Sequence, residues 1–405
     1  MISESEIDMT SAKRWLLPDG VEEILPLEAS KLEYLRRRLL DLYESWGYQL
    51  VITPLIEYLD SLLVGSSQDL DLHTFKITDQ LSGRMMGIRA DITPQAARID
   101  AHCMNREGPV RLCYADNVLH TKPRGLLASR VPIRIGAEMY GHAGVDCDIE
   151  LICLMYATLK AAAIENISIV LGHVGIFRAL VKEAEIDADT ESSLFDAVQR
   201  KAYDEIDAVL DAAVKDAMLH SMLRRLTRLS GDERTLEEAI KVFENAPRSV
   251  KKELLELVLI VEGVKERHPK MTLCFDLCEL RGYEYHTGIV FAAYTPKYGR
   301  AVAQGGRYDH IGEVFGRSRP ASGFDSDLKT IARLSSKTFT RKTAIIAPIG
   351  NDANLLGTIA ELRAGGEIVI TNLVASELAD QELEDLNCDR QLQLIDGEWV
   401  VEKLT

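Results

Sequence analysis

The 405-residue chain has no uncharged apolar run near the ~18 residues that a membrane span requires, so no membrane association is expected. It also lacks HExxH, a Walker loop and GxGxxG, which leaves metal-hydrolase, P-loop and Rossmann chemistry without a foothold. The seven cysteines (Cys103, Cys113, Cys147, Cys153, Cys274, Cys278 and Cys388) are odd in number and form no CxxC pair. Cys274 and Cys278 stand four apart, but TLCFDLCEL alternates like a strand. Buried free thiols in a reducing compartment are therefore expected, not disulfides or zinc ligands. Neither a metal nor a cofactor is expected. Basic residues are few, 47 against 63 acidic, and the net charge of −16 disfavours a broad nucleic-acid-binding surface. The opening MISESEIDMT is polar and acidic where a secretory signal would be basic and then apolar, which predicts a cytoplasmic protein.

What is present is an ordinary globular composition, 46% apolar and 27% charged, which rules out disorder. At roughly 150 residues per domain, the length suggests two or three domains. Leu32, Leu35, Leu39, Leu42 and Trp46 recur at helical spacing, with Gly47 placed to cap the helix end. YQLVIT reads as a strand stopped by Pro54. Residues 75–98 read as strand, turn at Ser82 and Gly83, strand, and a helix entered through 91–94. VRLCYADNVL and VPIRIGAEMYG are two further strands around a polar loop holding Lys122, Pro123, Arg124 and Gly125. These extended segments with long connections predict an α+β fold, an antiparallel sheet with helices packed on it. Residues 176–263 hold one proline, Pro247, and before Gly263 one glycine, Gly231, which marks a helical insertion. Strands return at MTLCFDL and YHTGIVFAAY, and QGGRYD follows. Gly305 and Gly306 read as sheet-packing glycines, with ligand contact as the alternative. After a polar linker at 334–342, TAIIAPIG, a helix over 355–362 and GGEIVITNL form a small β-α-β unit.

Six segments, in order, resemble the catalytic domain of class II aminoacyl-tRNA synthetases, specifically histidyl-tRNA synthetase: PDGVEEILP, VITPLIEY, IRADITPQ, RIGAEMYG, RGYEYHTGIVF and GGRYD. VITPLIEY is similar to that family's dimer-forming motif, so self-association as a dimer through the core is implied. The resemblance divides the chain into a synthetase-like core at 1–175 and 264–333, the insertion at 176–263 and a small C-terminal domain at 343–405.

The departures from the family bear on activity. Adenylation needs cations held against developing phosphoryl charge. Leu119 stands where the family has the arginine of its second motif and Thr121 where it has the glutamate; Thr330 stands where the third motif ends in arginine. Asp325 and Asp327 are expected to add negative charge near a triphosphate. Lys122 and Arg124 are the nearest substitutes, though neither holds the strand position. Residues 341–405 carry five basic and twelve acidic residues, a poor surface for RNA where the synthetases have an anticodon-binding domain.

The amino-acid pocket, by contrast, is kept. The resemblance implies that Asp91, Thr93 and Glu138 meet an ammonium, that Arg281 meets a carboxylate bidentately, and that Tyr285 and His286 wall an imidazole ring. Arg134 stands where a glutamine contacts the ligand, Asp91 where the synthetase has glutamate, and His286 where it has a second tyrosine. Structural alternatives are a helix cap for Asp91, a paired sheet carboxylate for Glu138, and a partner of Asp276 or Glu279 for Arg281.

A synthetase fold without its phosphate arginines but with a histidine pocket resembles the regulatory subunits of ATP phosphoribosyltransferase. That family implies a non-catalytic chain that joins and activates a short-form catalytic subunit, in a hetero-octamer of four plus four. It also implies feedback inhibition by histidine, as allosteric ligand, in the first step of histidine biosynthesis. The alternative is an active histidyl-tRNA synthetase or another amino-acid adenylating paralogue.

Overall fold

The computed structural model describes residues 15–63, 68–123, 125, 128–280, 282, 283, 285–296, 298–374 and 378–404. The chain divides into two compact units, Met1–Lys337 and Thr338–Thr405.

The first unit opens with helix α1 (Pro26–Ser45). Proline at its first turn suits a position with no helical acceptor, and Leu32, Leu35, Leu39 and Tyr43 form its buried stripe. Gly47, at φ +83°, takes the left-handed turn that ends it. The described residues then build a nine-stranded sheet in the order β1-β5-β6-β12-β11-β10-β7-β9-β8. These strands are β1 (Gln49–Leu50), β5 (Val110–Asn117), β6 (Ile133–Tyr140), β7 (Ser168–His173), β8 (Ser230–Gly231), β9 (Thr272–Asp276), β10 (Ile289–Thr295), β11 (Tyr298–Arg307) and β12 (Ala321–Asp327). A separate three-stranded sheet joins β2 (Ile56–Tyr58), β4 (Met85–Ile88) and β3 (Phe75–Thr78).

The antiparallel expectation holds for the middle of the large sheet and is corrected towards both edges. There β1 runs parallel to β5 and β7 parallel to β9. Parallel neighbours need long crossovers. Both pairs have them, since the small sheet lies between β1 and β5 in sequence and the insertion lies between β7 and β9. The strand expected over YQLVIT shrinks to Gln49–Leu50.

Helices α2 (Thr93–Arg98) and α3 (Val145–Ala161) precede six insertion helices. These are α4 (Val174–Glu183), α5 (Ala188–Gln199), α6 (Tyr203–Ala213), α7 (Ala217–Leu226), α8 (Arg234–Val242) and α9 (Arg248–Arg267). Leu194, Leu210, Leu223, Ala239 and Leu257, from five of the six, belong to the same buried cluster as α1, α3 and one face of the sheet. Helix α10 (Leu328–Leu334) closes the unit.

Strand periodicity sets up the site. On β6, Ile135, Ala137 and Met139 enter the helix-side core. Arg134 and Glu138 therefore point to the opposite face, where a cavity lies.

In the second unit the expected β-α-β is present as β13 (Ala344–Ala347), α11 (Ala353–Ala364) and β14 (Ile368–Thr371), packed on Ile345, Leu355, Ile359 and Val369. A short helix, α12 (Asp380–Asp385), follows. A hairpin, β15 (Cys388–Ile395) and β16 (Glu398–Lys403), then completes a four-stranded sheet in the order β14-β13-β15-β16.

Candidate functional site

A cavity of about 200 Å³ opens on the sheet face opposite α1 and α3, beside the start of α2. That is below the ~300 Å³ at which pockets for drug-sized ligands begin, so it suits a single small metabolite. Asp91, Thr93, Arg134, Glu138, Tyr285 and His286 all line it. Arg281 lies outside the described residues.

Glu138 sits at the centre. Its side chain is buried, and Oε1 accepts hydrogen bonds from Thr93 Oγ1 at 2.9 Å and Tyr114 Oη at 3.0 Å. Oε2 is equally buried and has no hydrogen-bond partner. Burial holds the carboxyl well above the usual carboxylate range, against the opposing pull of Thr93 and Tyr114. Opposite stands Gly323, paired with Glu138 across β6 and β12. A Cβ there would lie 1.7 Å from Glu138 Oε2 and 2.4 Å from the Tyr308 hydroxyl, so glycine is what leaves room for both groups.

Asp91 stands just before α2. Its Oδ1 accepts from the backbone N–H of Ile92 at 2.6 Å and of Thr93 at 3.1 Å. The carboxylate thus ties down the helix entry while lining the cavity, so the two readings of Asp91 are compatible. Arg134 is paired with Asp325 at 2.5 Å, both largely buried. Tyr285 stacks on Tyr308, with ring centroids 5.0 Å apart, and His286 meets Tyr285 edge-on at 5.3 Å. Burial lowers the His286 imidazole to about 4, so it is neutral at pH 7. Its Nδ1 lies 3.2 Å from the Arg307 carbonyl oxygen, which only accepts. Nδ1 therefore carries the proton, and Nε2 keeps an acceptor lone pair.

Gly305 and Gly306 behave as packing glycines. Added Cβ atoms would meet the Gly323 carbonyl at 2.2 Å and the Ile289 carbonyl at 2.6 Å. Sequence reasoning did not place Tyr308, Gln304 and Glu279 among the cavity residues. Tyr308 lay within the GGRYD segment and was findable there; its hydroxyl is buried without a hydrogen-bond partner.

A second, larger groove of about 900 Å³ adjoins the cavity and shares Arg134, Gln304 and Asp325 with it. Several of its charges are engaged within the protein. Lys329 Nζ donates to Glu22 Oε1 at 3.0 Å and to Ser129 Oγ at 3.2 Å. Asp327 caps α10, accepting from the Lys329 N–H at 3.2 Å and from Thr330 Oγ1 at 2.9 Å. The expectation that Asp325 and Asp327 add negative charge near a triphosphate gains a structural detail. Both carboxylates line the groove, but Asp325 is paired with Arg134 and Asp327 is tied to the start of α10, so neither is free to face a ligand alone. Lys122 is exposed and does not line the groove. Arg124 lies outside the described residues.

Residues 20–331 match the family model for histidyl-tRNA synthetase, and residues 342–402 match that for the ATP phosphoribosyltransferase subunit HisZ C-terminal domain. The ATP phosphoribosyltransferase regulatory subunit of Ectopseudomonas mendocina is 51% identical over 98% of this chain and 100% of its own length. That of Thioalkalivibrio sulfidiphilus is 51% identical over 95% of this chain and 97% of its own. The chain belongs to the family of ATP phosphoribosyltransferase regulatory subunits.

Among solved structures, an ATP phosphoribosyltransferase regulatory subunit/histidyl-tRNA synthetase from Bacillus halodurans superposes with a TM-score of 0.81. It is 25% identical and covers 93% of this chain and 97% of its own. Histidyl-tRNA synthetase from Nostoc shares the fold, with a TM-score of 0.77 at 20% identity over 96% of this chain and 97% of its own. Membership of the regulatory family favours a non-catalytic role over the adenylating alternative. No helix among the described residues is long and apolar enough to cross a membrane.

Proposed function

We propose that this chain activates a short-form ATP phosphoribosyltransferase catalytic subunit and transmits feedback inhibition by histidine held in the 200 Å³ cavity. The observation that carries the ligand assignment is Glu138 Oε2, a buried carboxylate oxygen with no hydrogen-bond partner. Leaving such an atom unpaired costs about 1–3 kcal/mol, a penalty that a protonated ligand nitrogen removes. Thr93 donates to the other oxygen of the same carboxyl, Asp91 and Arg134 line the same cavity, and Tyr285 and His286 would supply the ring wall. Arg281 is assigned the carboxylate by its place in the motif.

The assembly proposed is four copies of this chain with four catalytic subunits in the cytoplasm, copies of this chain pairing through the synthetase-like core. Exposed apolar side chains in the VITPLIEY segment support that pairing: Ile52 is 82% exposed, Leu55 49% and Ile56 46%.

A regulator without chemistry of its own acts through unequal affinity for two states of its partner, typically ~1–3 kcal/mol of coupling, or about 5- to 150-fold. The test is the catalytic subunit's initial rate with and without this chain, across histidine concentrations. Wild type should raise the rate and confer histidine inhibition. Glu138→Gln should relieve inhibition and leave activation standing. No activation by wild type, or joint loss of both effects in a folded Glu138→Gln chain, would sink the proposal.

A further inference from the structure

Outside the cavity and the groove, one cluster of ligating side chains stands out, although no sequence motif announces it. His173 ends β7 on the core sheet, while Glu253 and Glu256 lie one turn apart on α9 of the insertion. His173 is 1% exposed, and its Nδ1 is buried with no hydrogen-bond partner. That nitrogen lies 3.8 Å from Glu253 Oε2, and Nε2 lies 3.9 Å from Glu256 Oε2. Both separations are too long for hydrogen bonds. One ligand atom from each of the three residues falls within 4.8 Å of the other two. Gly175 leaves space for one carboxylate, since a Cβ there would lie 2.3 Å from Glu253 Oε2.

From this geometry we infer that His173, Glu253 and Glu256 form a divalent-cation site, suited to zinc, that fastens the helical insertion to the core sheet. The donor set is one imidazole nitrogen and two carboxylate oxygens, which leaves a fourth tetrahedral position for water. Zinc bonds of ~2.0–2.1 Å hold ligand atoms roughly 3.4 Å apart, so three donors now within 4.8 Å of one another, only one of them an imidazole nitrogen, close by up to about 1.4 Å around the ion.

Lys252 partly balances the two carboxylates from outside. Its Nζ lies 3.5 Å from Glu253 Oε1 and 3.3 Å from Glu256 Oε1, the oxygens turned away from the imidazole. Its side chain is 70% exposed and free to swing into solvent as a cation enters.

The experiment titrates zinc chloride into the full, chelator-stripped chain against a chromophoric competitor, and repeats the titration with Glu253→Gln and Glu256→Gln. Glu256 is about one-third exposed, so its amide variant should keep the fold, which circular dichroism checks. Wild type is expected to take up one tight equivalent and to melt at a higher temperature with zinc than without. Each variant should lose at least tenfold in zinc affinity and lose that rise in melting temperature. Failure of wild type to bind an equivalent would overturn the inference. So would undiminished binding by folded Glu256→Gln, which would place the metal on other histidines or cysteines.

Discussion

The cavity and the adjoining groove share three lining residues yet have opposite economies of polar groups. In the cavity, Glu138 Oε2 and the Tyr308 hydroxyl are buried and unpartnered within the protein. In the groove, Lys329, Asp327 and Thr330 are hydrogen-bonded to protein neighbours, and Arg134 at the boundary is paired with Asp325. A protein seldom keeps buried polar atoms unsatisfied unless something else satisfies them. A site relieved of its ligand, by contrast, is free to turn its polar groups inward for stability. The difference supports the cavity, not the groove, as the half of the synthetase-like site proposed to hold a ligand.

The largest expected effect concerns the groove. With Leu119 and Thr330 at the phosphate positions, ATP and histidine should give no pyrophosphate exchange above blank. Each missing preorganised donor costs on the order of 10²–10³ in rate, and two are missing. Exchange that rises with enzyme concentration would erase the contrast between the two sites.

Next comes the cavity. Glu138→Gln should weaken histidine binding by ~1.5–3 kcal/mol, roughly ten- to a hundredfold, as read by calorimetry. The pH dependence follows from burial, which raises the Glu138 carboxyl in the free chain. A ligand cation needs it ionised, so binding should release a proton, and affinity should rise with pH until the raised value is passed. Stability runs the other way. Above the unfolded value near ~4.3 the unfolded chain ionises Glu138 while the folded chain keeps it neutral, so the native state loses stability as pH rises through that window. Apo Glu138→Gln should escape that loss, and its stability advantage over wild type should grow with pH. Calorimetry in buffers of different ionisation enthalpy that detects no proton release would place Glu138 outside the binding event.

Much of this was legible in the sequence, for identifiable reasons. Helix α1 announces itself because one face is buried, so its leucines recur with the helical period, while strands β5 and β6, buried on both faces, show as short apolar-rich runs bounded by polar segments. The six cavity residues at 91, 93, 134, 138, 285 and 286 came from short motifs, which compress a spatial arrangement into local spacing. What escaped depends on distant partners. Parallel pairing of β7 with β9 joins segments separated by the whole insertion. The pairing of Arg134 with Asp325 spans β6 and β12, and each residue alone reads as a ligand or a repelling charge. The hairpin β15–β16 is a different case, since its Asp396–Gly397 turn, both residues at positive φ, carried a recognised hairpin signal.

The smallest effect is the sharpest test of the comparison. Thr330 occupies a former phosphate position but is 6% exposed, and its hydroxyl donates to Asp327 Oδ2 at 2.9 Å, where Asp327 caps α10. If the groove has been recruited for stability, Thr330→Val should cost about 1 kcal/mol, the net worth of one hydrogen bond, and shift the urea midpoint with m unchanged. Valine matches threonine in shape, and Asp327 keeps its backbone donors at Lys329 and Ile133, each 3.2 Å away, so the helix end should survive. Thr330 does not line the cavity, so histidine affinity should stay within about twofold, less than the tenfold that 1.4 kcal/mol would give. A larger change in affinity with little change in stability would mean that the groove still reports to the ligand, and the two regions would have to be treated as one site.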